Sequence, residues 1–353
     1  MSAPMEIVFL GLSITSSWGN GHAVTYRGLV RELARRGHRV LFLERDLPWY
    51  ADNRDLPKPP WGQTEIYRGL PELEDRFARA VEHADLVVLG SYVPEGIAVG
   101  EWLVSTARGT KAFYDIDTPV TVARLARDDC DYLSRALVPR FDLYLSFTGG
   151  PILRRIEAEL GAKAARPLYC SADPEHYRPE PHPPLWDLGY LGTYSEDRQP
   201  TLDRLLLEPA RRWREGRFVV AGPQYPRDVR WPPNVARMEH LAPPQHVSFY
   251  NAQRFALNVT RRDMVQAGWS PSVRLFEAGA CGTPVVSDPW DGLETVFVPR
   301  EEILIARTAE EALEIVRNLP EEERLAIGAA ARARVLKEHT AAHRARQLEG
   351  LVA

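Results

Sequence analysis

Lysine is nearly absent from this chain of 353 residues: four (Lys58, Lys111, Lys163 and Lys337) stand against 40 arginines. That scarcity excludes pyridoxal phosphate chemistry of the phosphorylase kind. It needs a lysine near the ligand in the second half, and the sole lysine after residue 163 is Lys337, in a helical tail. Cysteine is scarce as well. Cys130, Cys170 and Cys281 form no CxxC pair and have no histidine at ligand spacing, so they read as free buried thiols. No apolar stretch approaches the roughly 20 residues that a membrane span needs, so no stable membrane insertion is expected. The N-terminus, MSAPMEIVFLGL, has no basic region or small-residue cleavage site ahead of its strand-like run. It reads as the start of the fold, not a signal peptide, with a soluble, cytoplasmic protein expected. Positive charge is not in excess either: the formal charge of −4 speaks against a nucleic-acid partner. There is no short-period repeat.

What the chain does have is regular alternation. Its length suits two domains, and 44% hydrophobic with 26% charged residues is the balance of a globular enzyme. Short apolar runs separated by a helix's worth of amphipathic chain are expected to be buried parallel strands. In the first half they fall at 5–12, 38–44, 64–68, 85–91, 111–116, 142–147 and 166–169. In the second half they fall at 187–192, 217–221, 235–238, 255–259, 284–287 and 303–306. Between the first two, His22 to Arg36 places Tyr26, Leu29, Val30, Leu33 and Ala34 at helical spacing, with Asn20 as N-cap and Gly37 as stop. That predicts a right-handed βαβ unit. Residues 167–184 contain six prolines, which suit neither a helix interior nor a central strand. The expected organisation is an N-terminal Rossmann-like domain over 1–170 and a proline-rich linker over 171–184. A C-terminal Rossmann-like domain follows over 185–330. The Arg/Ala/Leu tail from about Glu321 reads as helical, and 331–353 would pack back across the domains. The fold class is α/β: two doubly wound domains facing a central cleft, where the carboxyl ends of both sets of strands would bind ligands.

The strongest local pattern is Ser270-Pro-Ser-Val-Arg-Leu-Phe-Glu-Ala-Gly-Ala-Cys-Gly-Thr-Pro-Val-Val-Ser-Asp288. Ser272 suits an N-cap, Val273 to Cys281 a short helix, and Gly282 its end. A helix N-terminus offers free N–H groups and a partial positive charge to a diphosphate. Arg274 in its first turn would add a fork of donors, and Glu277, one turn on, suits ribose hydroxyls. The plainer alternative is a capped surface helix with an i, i+3 Arg–Glu ion pair. The pattern resembles the donor signature of GT-B glycosyltransferases, and its wording is similar to the spore-maturation CgeB-like family. Tyr190-Leu-Gly-Thr-Tyr-Ser-Glu-Asp-Arg198, Ala221-Gly-Pro223, Leu257-Asn-Val-Thr-Arg261, His339-Thr-Ala-Ala-His-Arg344 and Asp173-Pro-Glu-His-Tyr-Arg-Pro179 carry the same resemblance.

The resemblance implies a GT-B fold and transfer of a sugar from a nucleotide diphosphate sugar, UDP-sugar foremost, to a small-molecule, glycan or protein hydroxyl. It implies no metal or other cofactor. Diphosphate would lie on the Gly192-Thr193 backbone, Arg198, Ser272 and Arg274, ribose on Glu277, and the base near His240-Leu241. Retaining members carry a second Glu eight residues before the ribose-binding one; here that position is Trp269, which leaves the stereochemical outcome open. A nucleotide-sugar epimerase of the same fold and a non-catalytic sugar-nucleotide-binding protein are the alternatives.

In the first half, Gly19-Asn20-Gly21 follows the first strand and, with Glu44, imitates part of a dinucleotide fingerprint. Val24 occupies the third glycine position, so the loop is assigned to close approach of a sugar. Asp115-Ile-Asp117 imitates the metal-binding DxD of other glycosyltransferases but ends a strand; Asp115 is read as an acceptor-side ligand. An inverting transferase needs a base in this domain. His22, at the start of the first helix, is the first choice because the positive helix pole favours the neutral imidazole. Its position resembles the loop histidine of many inverting GT-B enzymes. Asp117, ahead of Thr118-Pro119, is its partner; packing or capping roles are the alternatives for both. Pro48-Trp49-Tyr50 and Pro59-Pro60-Trp61 read as an aromatic acceptor wall or as loop anchors.

Overall fold

A computed structural model describes residues 3–18, 21–181 and 183–352. The chain divides into two compact units, Met1–Cys170 with Ala341–Ala353, and Ser171–Thr340. The first holds a seven-stranded sheet of β1 (Glu6–Gly11), β2 (Arg39–Arg45), β3 (Gln63–Tyr67), β4 (Leu86–Gly90), β5 (Thr110–Asp115), β6 (Leu143–Ser146) and β7 (Ala165–Pro167). The second holds β8 (Trp186–Leu191), β9 (Phe218–Ala221), β10 (Val235–Met238), β11 (Gln253–Asn258), β12 (Val285–Ser287) and β13 (Leu304–Ile305). All thirteen expected strands occur, each within two residues of its expected limits.

The orders are β3-β2-β1-β4-β5-β6-β7 and β10-β9-β8-β11-β12-β13, with every pairing parallel. Both are doubly wound orders that reverse direction beside their first strand, at β1/β4 and β8/β11. The cause is visible in the strands. Leu86–Gly90 and Phe218–Ala221 are buried throughout, because helices cover both faces and leave no polar side.

In the first unit, Ile7, Phe9, Val88, Tyr114 and Leu145 meet Tyr26, Leu29 and Leu33 of the helix His22–Arg35. The following Gly37 takes φ +94°, which a side chain would resist. In the second unit, Leu188, Val220, Phe255 and Leu257 pack with Leu205, Leu206 and Leu207.

The tail is two helices, Glu321–Glu338 and Ala341–Val352. The break has a local cause: the His339 carbonyl accepts the Ala172 N–H at 3.1 Å, and Ala172 bridges Thr340 in parallel fashion. Glu321–Glu338 lies within the second unit, and Ala341–Val352 completes the first. There Ala345 and Leu348 enter the core, and Glu349 accepts hydrogen bonds from Arg36 and from His38 Nε2. His38 Nδ1 accepts the Met5 N–H at 3.0 Å, which fixes that tautomer. The three cysteines are free and buried. Among the described residues no helix is long and apolar enough to cross a membrane.

Candidate nucleotide-sugar site

In the second unit the strand ends place five polar segments together. The helix Val273–Ala280 starts beside them, with Ser272 at its N-cap position. Ser272 makes no side-chain cap, contrary to the sequence expectation. Its hydroxyl instead donates to Asn258 Oδ1 at 2.8 Å, because Asn258, buried at the end of β11, needs donors for its oxygen.

Arg274 is only 8% exposed. Its Nε donates to the Leu191 carbonyl at 2.7 Å and its Nη1 to Asn258 Oδ1 at 2.9 Å, while the guanidinium lies 4.8 Å from the centre of the Tyr190 ring. Nη2 has no hydrogen-bond partner among the described residues; it stands 3.0 Å from where a Cβ on Gly192 would be. The Tyr190 hydroxyl under the same glycine is buried and equally unpartnered. Glu277 is 5% exposed; Oε1 accepts the Tyr177 hydroxyl at 2.7 Å and Oε2 the Tyr250 hydroxyl at 3.0 Å. No ion pair joins Arg274 to Glu277 among the described residues, so the capped surface helix is ruled out. Two buried charges held separately by neutral partners are costly in a merely structural helix.

The Gly192-Thr193 turn is tight: a Cβ on Gly222 would stand 2.1 Å from the Gly192 carbonyl oxygen. The Gly192 N–H donates to the Ala221 carbonyl. The Thr193 N–H has no partner among the described residues. Arg198 Nη2 donates to the Thr193 carbonyl at 2.8 Å, and its buried Nε is unpartnered. His240 is exposed, and the Leu241 carbonyl accepts from His246 Nε2 at 3.2 Å.

Asp288, just after β12, completes the group. Its Oδ1 accepts both the N–H and the hydroxyl of Thr260, at 3.0 and 2.9 Å. Burial raises its carboxyl from the usual 3.8 to about 6, against the pull of those two bonds and of Arg274. Asn258, Asp288, Tyr177 and Tyr250 were given no role on sequence. The first three lay inside quoted patterns; nothing local marked Tyr250.

In the first unit the acidic pair is real but is built from hydroxyls. Asp115 is buried; Oδ1 accepts the Thr121 hydroxyl at 2.8 Å and the Asp117 N–H at 3.2 Å, and Oδ2 accepts the Tyr144 hydroxyl. Burial lifts its carboxyl from 3.8 to about 6, against these hydrogen bonds. Asp117 precedes the helix Thr118–Ala126 without capping it, and Oδ2 accepts the Tyr92 hydroxyl at 2.8 Å. Tyr92 sits at φ +65°, a strained backbone for a bulky residue. His22 opens the first helix 6.1 Å from the Phe147 ring, centre to centre. Among the described residues no three His, Cys, Asp or Glu side chains are grouped to hold a metal ion.

Gly21 has φ −62° and open space around its Cβ position, so neither its backbone nor its protein neighbours require a glycine there. Gly19 and Asn20 lie outside the described residues. Glu44 serves the loop itself: it accepts the Ile14 N–H, the Thr15 N–H and the Thr15 hydroxyl. The aromatic wall is mostly an anchor. Tyr50 is buried, Trp61 packs against the core beside Arg31, and only Trp49, at 60%, stands exposed.

A family model described as "Glycosyl transferase-like" matches residues 198–350. No curated protein sequence matches the chain. Among solved structures, sucrose-phosphate synthase from Thermosynechococcus elongatus is 16% identical with a TM-score of 0.70, covering 98% of each chain. HepE from Anabaena, solved with UDP and glucose, is 14% identical with a TM-score of 0.71 over 98% of each. An alpha-glucosyltransferase solved with UDP is 12% identical with a TM-score of 0.71 over 99% of each. At these identities the likeness defines the fold: two parallel-sheet α/β units of the GT-B type.

Proposed function

We propose that this protein is a glycosyltransferase that moves a sugar from a nucleotide diphosphate sugar to a hydroxyl acceptor without a catalytic metal. The observation that carries the reading is Arg274: buried, fixed by Leu191 and Asn258, and left with Nη2 unspent beside Gly192 at the β8/β11 reversal. A pre-positioned fork of donors at a helix N-terminus is what a diphosphate leaving group needs. Thr193 N–H, Arg198 and Ser272 supply the rest of that cradle, Glu277 takes the ribose, and the base lies near His240-Leu241. UDP is the first choice of nucleotide, since HepE and the alpha-glucosyltransferase were each solved with it. The match to the "Glycosyl transferase-like" model over residues 198–350 supports the same class, and the CgeB-like wording of the donor signature supports that branch.

The first unit supplies the acceptor chemistry. His22 takes the proton from the acceptor hydroxyl, and Asp117, held by Tyr92, orients the imidazole or the acceptor. Asp115 and the Gly19–Gly21 loop lie on the acceptor side.

The test is direct. UDP and a panel of nucleotide sugars should raise the melting temperature of the protein by mass action, and one donor should release its nucleoside diphosphate faster with an acceptor present. Arg274→Ala should weaken nucleotide binding by about 1.5–3 kcal/mol, the range for hydrogen bonds to charged groups. Unchanged affinity in a folded variant would remove the assignment.

A further inference from the structure

Glu277 is a buried carboxylate without an ion-pair partner among the described residues, and something must make that tolerable. Two phenols do. Tyr177 comes from the proline-rich segment, 100 residues earlier, and Tyr250 from the helix His246–Asn251, 27 residues earlier. Each donates to a different oxygen, so the carboxylate can neither rotate nor pair elsewhere without breaking a bond. Burial and the charge of Glu277 hold both phenols well above their usual acidity range, so both remain donors. A carboxylate oxygen has two lone-pair directions; one on each oxygen is spent on a phenol and one remains. Tyr177 also reaches further. His246 Nε2 donates to the Leu241 carbonyl at 3.2 Å, and its Nδ1 stands 3.5 Å from the Tyr177 oxygen, whose proton is given to Glu277. Burial lowers the His246 pKa and favours the neutral ring.

We infer that Tyr177 and Tyr250 are positioning residues that hold Glu277 as a paired acceptor for the two neighbouring ribose hydroxyls of the donor nucleotide. The inference rests on the donor reading given above. A cis-diol presents two O–H donors side by side, and a carboxylate fixed from behind by two phenols offers one acceptor to each at no cost in rotamer freedom. His246, whose Nε2 donates to the Leu241 carbonyl, packs beside Tyr177 and so places the segment proposed for the base next to the ribose acceptor.

The experiment measures binding of UDP and of 2′-deoxy-UDP by calorimetry to the full-length protein, wild type and the variants Tyr177→Phe, Tyr250→Phe and Glu277→Gln. The wild type should prefer UDP by about tenfold or more, the size of one hydrogen bond to a charged acceptor. Each tyrosine variant should lose most of that preference by weakening UDP while leaving 2′-deoxy-UDP nearly unchanged. A tyrosine that only packs would weaken both nucleotides in proportion and keep the ratio, which would overturn the inference. Either folded tyrosine variant suffices for this reading. If Glu277→Gln abolishes the preference and the tyrosine variants retain it, the positioning role fails and the donor site stands. If Glu277→Gln keeps the wild-type ratio, or the wild type binds both nucleotides equally or not at all, the ribose assignment itself fails.

Discussion

Replacing Asp288 by asparagine should stabilise the protein, and by an amount that grows with pH. Asp288 is almost fully buried after β12, and Thr260 satisfies only Oδ1. Asparagine keeps that acceptor and puts an amide where the other oxygen was. Burial raises the carboxyl from 3.8 to about 6, so the folded protein holds its proton more tightly than the unfolded chain. Between those two values the native state binds more protons, and stability falls as pH rises. The sign is opposite to that of a salt-bridged carboxylate. At about 1.4 kcal/mol per tenfold change in acidity, the full penalty is about 3 kcal/mol above pH 6, and it vanishes below pH 4. About half of it, ~1.4 kcal/mol, should develop between pH 5 and pH 8. Urea unfolding of wild type and Asp288→Asn at pH 5, 6.5 and 8 reads this directly. The difference in unfolding free energy should widen in favour of the variant by that amount. Any constant offset from the substitution cancels. A difference that stays flat across the range would refute the reasoning, since Asp288 would then titrate alike in both states. The variant should bind nucleotide less well if the free oxygen serves the donor, which would make Asp288 a site residue kept at the expense of stability.

Two further outcomes follow from the proposed chemistry. Activity should survive EDTA; loss with rescue by Mg2+ or Mn2+ would assign Asp115 and Asp117 as ligands after all. His22→Ala should cost about 10²–10⁴ in kcat with both substrates saturating, the usual cost of a lost general base. A near-native His22→Ala beside a hundredfold loss in Asp117→Asn would exchange their roles.

The strands were legible because a parallel strand buried on both faces must be a short apolar run, and thirteen such runs stand out between polar stretches. Arg274 stood out because a basic residue in the first turn of a helix is a local pattern in sequence. Its setting did not. The sequence pairs Arg274 with Glu277 by spacing, whereas in the fold each turns to partners from other strands and helices. Tyr250 shows the limit most clearly: nothing near it points to Glu277, because only the winding of the chain brings them together. Trp61 and Tyr50 stayed undecided for a related reason, since an aromatic side chain in an irregular loop suits a ligand wall and a loop anchor equally well. Glu44 sits where a dinucleotide-binding acid would, yet its oxygens are occupied by the backbone and hydroxyl of the preceding loop.

The bridge between Ala172 and Thr340 has a consequence for how the chain reaches its fold. The core of the first unit is unfinished until Ala345 and Leu348 arrive, and the whole of Ser171–Thr340 intervenes. Closing so long a loop from the unfolded state carries an entropic cost that rises slowly with its length. Once the second unit has folded, however, its own two ends are joined by the Ala172–Thr340 bridge. The helix Ala341–Val352 then starts a few residues from β7, and what had been a long-range search becomes a local docking. A chain made from its N-terminus would thus leave its earliest strands waiting for Ala345 and Leu348, which are synthesised only after the whole second unit.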